Sequence, residues 1–553
     1  MKKNNKLLFI FLLFSFQFVA SNEDLLSKRN FSINDLSNPL LSETGLNNND
    51  ENLWKNVFLD KSYNDLKNFF MNLPINNPSP VVQELIYKIL ISKKDLNKRS
   101  ISKSEDEEIF EIIMDKLFQS GRLNEIELFY SQSAVLQENE MILSKMIEGN
   151  FLRNRHSEAC KILENKVKEK PIKFGKIMVI CDILNSRYEQ ARFGLALLKE
   201  QNNPGDIFFI ELAFSLMSED KLSESDYLIK TLNEIKQLNP VVMTSLQFAD
   251  ISPNFEQIEN LTTSGLLFIL SNPTVETDLK IHCAEILVKQ GRINYEMLSE
   301  AYQLPRFDNK DIENSIKLYK TLSPIKSRPL LYQSILRDEN PDSKFQKIKA
   351  LLKVSINENL FTKISYLVEG FLDYEDYIIS ADEAILFSKM YQATKKFYEA
   401  RNVLDKINQI EKKALNEILI DLKRVLNNQN IDERNMDENL KKVDSIEQSD
   451  VLKKIILVMS INAELNSDKR EILASFSNTF DEKANTTDLK NLFLAETFSN
   501  EKDFFNSMKI FFNIVGNKEI SDLNLLEIYS AFLILKNLGL TDELNLLSEN
   551  ILS

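Results

Sequence analysis

Three residues of this chain, His156, Cys160 and Cys181, are of types that could do chemistry together. His156 and Cys160 are four residues apart, so they share one face of a helix. With Cys181 they would offer three ligands to a metal ion, but structural zinc sites normally close with four. We expect a Cys160–Cys181 disulfide instead, because residues 1–21 form an export signal and exported thiols meet an oxidising compartment.

The other candidate groups point to packing. The chain has two histidines, so a His-Glu-x-x-His zinc helix is impossible and a serine triad would have to use one of them. His282 and Cys283 lie in the amphipathic stretch DLKIHCAEILV, which predicts a buried helix face with a free thiol.

The eleven glycines exclude several kinds of active site. No two are closer than Gly194 and Gly205, which rules out the dinucleotide loop, the Walker phosphate loop and the Gly-x-Ser-x-Gly elbow. Paired carboxylates remain possible among 82 acidic residues. Soluble lytic transglycosylases carry a catalytic Glu-Ser pair in a separate domain, but Glu224-Ser225 falls inside a repeat turn, so we expect it on a helix surface. No catalytic site, metal or cofactor is predicted.

A turn pattern between two amphipathic helices recurs along the chain, at spacings of about 33 residues in its first four copies. Its copies are GRLNEIELF (121–129), NRHSEACKI (154–162), SRYEQARFG (186–194), DKLSESDYL (220–228), KKFYEARNV (395–403) and KDFFNSMKI (502–510). The third position is apolar or aromatic and the sixth is mostly small. These predicted packing positions are Leu123 and Ile126, His156 and Ala159, Tyr188 and Ala191, Leu222 and Ser225, Phe397 and Ala400, and Phe504 and Ser507.

The pattern has a physical meaning. Two antiparallel helices meet closely where a small side chain sits at their crossing, and an apolar residue just after the turn closes the end of the pair. A fixed register of this kind predicts an all-α solenoid of helix-turn-helix repeats. In such a solenoid Cys160 and Cys181 lie on helices of consecutive pairs, which are spatial neighbours.

The pattern resembles the tetratricopeptide repeat, whose second helix opens with Gly-x-Tyr-x-x-Ala. Only the copy at Gly121 keeps the glycine, and the tryptophan and proline of the full motif are mostly missing, so the resemblance is to divergent repeats. It is clear over roughly 105–235 and recurs near 385–410 and 490–550. The Ala159-Cys160…Cys181 layout is also similar to that of exported helical-repeat proteins of unknown function from Gram-negative bacteria. The resemblance to tetratricopeptide repeats implies a helical fold and a role in protein binding.

Composition agrees with long helices joined by short loops, since glycine (11) and proline (13) are scarce in 553 residues. The net charge of −14 disfavours binding to nucleic acid or anionic lipid. Loss of Lys2, Lys3 and Lys6 with the signal would leave 65 basic and 82 acidic residues, a net charge of −17.

The N-terminus has the layout of a signal peptide. A lysine-containing start precedes an apolar run from Leu7 to Ala20, and Val19-Ala20-Ser21 predicts cleavage after Ser21. The run is short of the ~20 residues that span a bilayer. We expect a periplasmic or secreted protein with no membrane insertion after cleavage. The alternative is an uncleaved N-terminal anchor.

The remaining pattern divides the chain into segments. We expect a signal peptide at 1–21, a flexible leader at 22–51, TPR-like repeats at 52–235, irregular repeats at 236–426, a linker or exposed helix at 427–449 and C-terminal repeats at 450–553. The register of the turns is lost over 235–385.

These features predict an exported, non-enzymatic scaffold that binds a protein or peptide of the cell envelope on a concave face. Two alternatives stay open. One is a cell-wall enzyme of the glycosidase type, with a carboxylate site inside the superhelix. The other is a structural envelope protein that associates with itself.

Overall fold

The fold is all-α in the part of the chain that the computed structural model describes. That part comprises residues 40–46, 54, 56–96, 101–132, 134–167, 174–218, 226–235, 238–356, 359–443, 454–455, 457–459 and 486–552. None of these residues lies in a β-strand, so the all-α prediction is confirmed. No helix within these ranges is long and apolar enough to cross a bilayer. The predicted signal peptide at 1–21 lies outside them.

The first part of the chain forms helices α1 to α11. Their bounds are α1 Tyr63–Met71, α2 Pro80–Ile91, α3 Lys103–Gln119, α4 Leu123–Gln132, α5 Ala134–Gln137, α6 Glu140–Leu152, α7 His156–Lys166, α8 Gly175–Leu184, α9 Tyr188–Glu200, α10 Ile207–Leu216 and α11 Asp226–Asn233. Short 3-10 turns add Leu41–Glu43 and Pro204–Asp206.

The middle of the chain continues with helices α12 to α25. Their bounds are α12 Pro240–Phe248, α13 Phe255–Glu259, α14 Thr263–Ser271, α15 Thr277–Lys289, α16 Tyr295–Gln303, α17 Asn309–Glu313, α18 Ser315–Leu318, α19 Pro324–Arg337, α20 Pro341–Ile356, α21 Phe361–Val368, α22 Ala381–Ala393, α23 Phe397–Leu404, α24 Ile410–Leu426 and α25 Glu433–Val443. A 3-10 turn spans Tyr374–Tyr377.

The described residues 486–552 form four more helices. They are α26 Thr486–Asn500, α27 Phe504–Val515, α28 Leu525–Leu538 and α29 Thr541–Ile551, with a 3-10 turn at Ile520–Asp522.

Helix starts follow local capping chemistry. Ser102 accepts from the N–H of Glu105 while the Glu105 side chain accepts from the N–H of Ser102, a capping box that begins α3. Pro80 opens α2 and Pro324 opens α19, at positions where a missing N–H costs nothing.

The first residue of the repeat turn has a left-handed backbone in every described copy. These residues are Gly121, Asn154, Ser186, Lys395 and Lys502, with φ between 57° and 73°. In each copy the next N–H reaches back five residues to a helix carbonyl, as in Arg155 to Asn150 at 2.8 Å and Lys396 to Tyr391 at 2.8 Å. This hydrogen bond and the left-handed residue define the Schellman motif, which ends a helix. The repeated turn pattern therefore marks the positions at which helices end.

The same helix stop also occurs where the sequence register was expected to be lost. Asp250, Gly291 and Asn359 have positive φ, and the residue after each donates to the carbonyl five positions back. These stops are 41 and 68 residues apart, so the same helix end recurs there without the spacing of about 33 residues. Asp and Asn tolerate the left-handed conformation, so this turn can form without the Gly-x-aromatic sequence motif.

Repeats contact partners far away in sequence as well as their neighbours. α14 packs against α3 and α6, and the Ser264 hydroxyl donates to the carbonyl of Phe118. A Cβ at Gly291 would lie 3.2 Å from the Pro80 side chain, so α15 ends against the start of α2.

The first and last described helices pack against each other. Trp54, the only tryptophan, is buried edge-to-face on Phe504 with ring centroids 6.1 Å apart. The Phe69 ring lies 5.0 Å from that of Phe505, and Lys88 pairs with Glu543 at 2.9 Å. Residues 41–553 accordingly form one compact unit.

Two predicted segment assignments need correction. Residues 41–46 of the expected flexible leader are packed, because the N–H groups of Leu41 and Ser42 donate to the buried Asp106 carboxylate at 2.7 and 3.0 Å. Residues 427–449 were expected to be a linker or an exposed helix; α25 is a helix there, and it buries Met436 and Leu440 against α24. Its apolar residues recur at helical spacing, which the high local charge masks.

Candidate functional site

Cys160 on α7 and Cys181 on α8 form a disulfide, the pair expected from the sequence. Their Cα atoms are 5.6 Å apart, within the usual range for a disulfide, and both side chains are buried. The bond ties the helix pair α6–α7 to the pair α8–α9. Because both sulfurs are bonded to each other, neither can act as a thiolate ligand to a metal.

His156 packs between aromatic rings. Its ring centroid lies 5.8 Å from that of Phe151 and 4.9 Å from that of Phe248, and burial lowers its pKa. No group of three metal-ligating side chains occurs among the described residues. His282 lies 5.6 Å from the Phe255 ring, and burial raises the pKa of the Cys283 thiol to about 12, which keeps it protonated and unreactive.

The structure places most of the predicted packing positions in the interior. Leu123, Ile126, Ala159, Ala191, Phe397, Ala400 and Ser507 are buried, and Phe504 is half-buried against Trp54. Tyr188 is a correction, since it is 43% exposed. It begins α9 on the solvent side, so it does not close the end of its pair. Leu222, Glu224 and Ser225 lie outside the described residues.

A groove of about 870 Å³ lies beside the disulfide, lined by α7, α8 and α9. Its wall includes Cys181 and Val179 of α8 and Leu198 of α9, all buried. Phe193 and Leu197 line it one helical turn apart on α9 and are 67% and 44% exposed. Large apolar side chains this open to solvent on one face are typical of a surface that another molecule covers.

Gly194 shapes the groove by letting two helices approach. A Cβ on Gly194 would lie 2.8 Å from a methyl carbon of Val179, so a side chain there would push α9 from α8. The small residue of this pair is thus Gly194 as well as Ala191, and sequence reasoning missed it. The sequence does contain a signal for the groove. Phe193 and Leu197 form an apolar i,i+4 pair on α9, in addition to the buried Leu195 and Leu198.

The rim of the groove is acidic. Arg187 bridges two carboxylates, with Nη2 2.6 Å from Glu164 and Nε 2.8 Å from Asp182. Glu189 adds a third acid to the lining. Glu189 pairs with Arg192 at 3.0 Å, so three acids face two arginines and the rim keeps a small net negative charge.

Buried carboxylates elsewhere in the described structure are engaged in structural contacts. Glu285 accepts from Arg328 at 2.7 and 2.5 Å and from the Tyr302 hydroxyl at 2.8 Å. Asp421 pairs with Arg401 at 2.5 Å, although burial raises its pKa. These acids stabilise helix packing, whereas the groove offers a binding surface.

No protein-family model matches this chain, and no curated protein or solved structure matches it either. The resemblance to tetratricopeptide repeats therefore stays a prediction from the residues that carry it.

Proposed function

We propose that this protein is an exported, non-enzymatic adaptor that binds a segment of another protein of the cell envelope. The observation that carries the proposal is the groove beside the disulfide, with Phe193 and Leu197 exposed along it. Exposed apolar pairs also occur elsewhere, as at Leu489 and Phe493 on α26. Phe193 and Leu197 differ from that pair because they line a groove, where one bound segment could cover both side chains.

The chemistry of the groove describes its partner. Apolar contacts require a segment with large apolar side chains, in the manner of a helix or extended peptide lying in a groove. The three acids of the rim pair with Arg187 and Arg192, which leaves one negative charge in excess. That excess favours a basic residue on the partner beside the apolar contacts. Binding to such a segment should weaken as salt is added, because salt screens exposed charge.

The export that we expect from the sequence fits this role. The Cys160–Cys181 disulfide rigidifies the groove and is a form that persists in an oxidising compartment. The signal-peptide pattern at 1–21 would deliver the chain there, to the periplasm or the exterior. Finding Met1 retained in a membrane fraction would favour the anchored alternative.

Site-specific crosslinking in intact cells tests the proposal. A photoreactive phenylalanine analogue at position 193 should capture one defined partner. The matched control is the same analogue at Tyr398, an aromatic that is 76% exposed on α23, outside the groove. The same capture from both positions, or none from position 193, would contradict the proposal.

A charge variant completes the test. Leu197→Glu should abolish capture through position 193, because a carboxylate would replace the apolar contact beside an already acidic rim. Purified mature protein should also fail to hydrolyse peptidoglycan, peptides or phosphate esters. Turnover of any of these, lost on changing one Asp or Glu, would favour an enzyme instead.

A further inference from the structure

A second cavity, of about 280 Å³, lies where helices from the beginning, middle and end of the chain meet. Its lining includes Ser79 and Pro80 at the start of α2, Phe361 and Lys363 at the start of α21, and Ser521 near the C-terminus. It shares no lining residue with the groove beside the disulfide.

The cavity concentrates positive charge in an acidic protein. Four lysines and one glutamate line it: Lys289, Lys363, Lys389, Lys454 and Glu519. The chain as a whole carries 82 acidic and 68 basic residues. The lining of this cavity therefore has the opposite sign of net charge from the chain, with three positive charges in excess. Lys289 pairs with Glu519 at 3.7 Å, and no ion pair with another described residue engages Lys363, Lys389 or Lys454.

Two of these lysines are desolvated without compensation from an acid. Burial is the sole cause that lowers the pKa of Lys363 and of Lys389, with no carboxylate opposing it. Lys423 on α24, which is 6% exposed, interacts electrostatically with Lys389. Burial lowers its pKa to about 8, Lys389 adds to that effect and Glu549 opposes it. Lys363 and Lys389 are therefore desolvated cations that no described carboxylate compensates, which is costly, and a bound anion would relieve the cost.

Uncharged donors face the same space. Ser79 is 5% exposed, and its buried hydroxyl has no hydrogen-bond partner within the described ranges. α21 begins at Phe361 with no side-chain cap, so its first N–H groups lack intrahelical partners. A helix N-terminus favours negative charge, and here it coincides with the lysines and the hydroxyl.

We propose that this cavity binds a small phosphate-type oxyanion, either inorganic phosphate or a phosphate monoester. A tetrahedral dianion can accept from lysines on several helices and from the Ser79 hydroxyl at once. It also compensates more of the excess charge than a single carboxylate does. The cavity volume leaves room for a small organic group on the phosphate.

The bound anion would hold the ends of the unit together. Ser79 belongs to the first helices, Lys363 and Lys389 to the middle and Ser521 to the last, so one ligand would contact all three parts. Since the anion binds the folded chain and not the unfolded one, the melting temperature should rise with its concentration.

Calorimetric titration of the full mature chain with inorganic phosphate tests the site. Saturable binding is expected, at least tenfold weaker in Lys363→Gln and in Lys389→Gln. Lys353→Gln, an exposed lysine on α20 that lies outside the cavity lining, is the matched control and should bind as the parent does. A thermal melt of each variant without phosphate checks that it is folded.

Parallel titrations distinguish the ligand sources. Tighter binding of glycerol phosphate than of inorganic phosphate would assign the site to a monoester, and the reverse would assign it to the free ion. Equal binding of acetate, unchanged binding in both cavity variants, or no binding by the parent at millimolar phosphate would overturn the proposal. Leu197→Glu should leave phosphate binding intact, so the two proposals can fail separately.

Discussion

The contact between the first and last helices predicts coupling across more than 400 residues. Phe69 of α1 and Phe505 of α27 are both buried, with ring centroids 5.0 Å apart, and Phe512 lies 6.2 Å from Phe69. Phe505→Ala should cost about 3–5 kcal/mol in total. Of this, about 0.5–1.5 kcal/mol belongs to the ring contact itself.

Hydrogen exchange can measure the part that reaches α1. A chain of this length is not expected to unfold in one step, so local protection is a better readout than a single unfolding free energy. If 0.5–1.5 kcal/mol is lost, the amides of 63–71 should exchange about two- to twelvefold faster in Phe505→Ala. Phe493→Ala, which removes an exposed ring from α26 of the same block, should leave them unchanged.

The size of the effect separates two arrangements. In an open solenoid that contacts only its neighbours, Phe505→Ala would alter exchange in 486–552 and leave 63–71 at the parent rate. That result would refute the packing of α27 on α1. It would also remove the basis for a cavity shared by both ends.

Four further predictions concern the interior. Ala159→Leu should overpack α7 and cost about 1–3 kcal/mol, seen as a lower melting temperature. Replacing both Cys160 and Cys181 by alanine should cost about 3 kcal/mol, because the bond closes a loop of 21 residues. Arg328→Met should cost about 3–5 kcal/mol by leaving the Glu285 carboxylate buried without its cation, and adding Glu285→Gln should recover much of that loss. Lys423→Met should stabilise the protein at pH 7 by up to about 3 kcal/mol.

The pH dependence of the Lys423 effect has a definite sign. Its folded pKa of about 8 lies below the unfolded value of 10.5, so the folded state binds fewer protons between those pH values. Stability should therefore rise with pH from about 8 to 10.5 in the parent, and rise less in Lys423→Met. A parallel pH profile in parent and variant, in phosphate-free buffer, would contradict the assignment.

The other three predictions have internal controls. Ser157→Leu, on the exposed face of α7, should not lower the melting temperature; an equal loss there would mean that the repeat register is wrong. Reductant should destabilise the parent and not the variant without cysteines. If adding Glu285→Gln worsens Arg328→Met, the buried pair is not what Arg328 stabilises.

The local architecture of this protein was readable from its sequence. Helix stops depend on a few neighbouring residues, so the turns at Gly121, Asn154 and Ser186 could be recognised by spacing and composition. The Cys160–Cys181 pair was also accessible, because helices adjacent in a repeat are adjacent in space. The turn at Asp250 lacks the expected sequence motif and was missed, although its backbone has the same left-handed conformation.

The tertiary structure decided which distant surfaces meet. Periodicity shows that Phe69 and Phe505 face inward, but it does not say that they face each other, because any apolar partner satisfies the same pattern. The lysine-lined cavity likewise gathers Lys289, Lys363 and Lys389 from separate helices, and none of them stands out in its own segment. Tyr188 occupies a packing position by sequence yet lies exposed. Burial depends on what a neighbouring helix presents, and that is set by the whole chain rather than by the residue and its near neighbours.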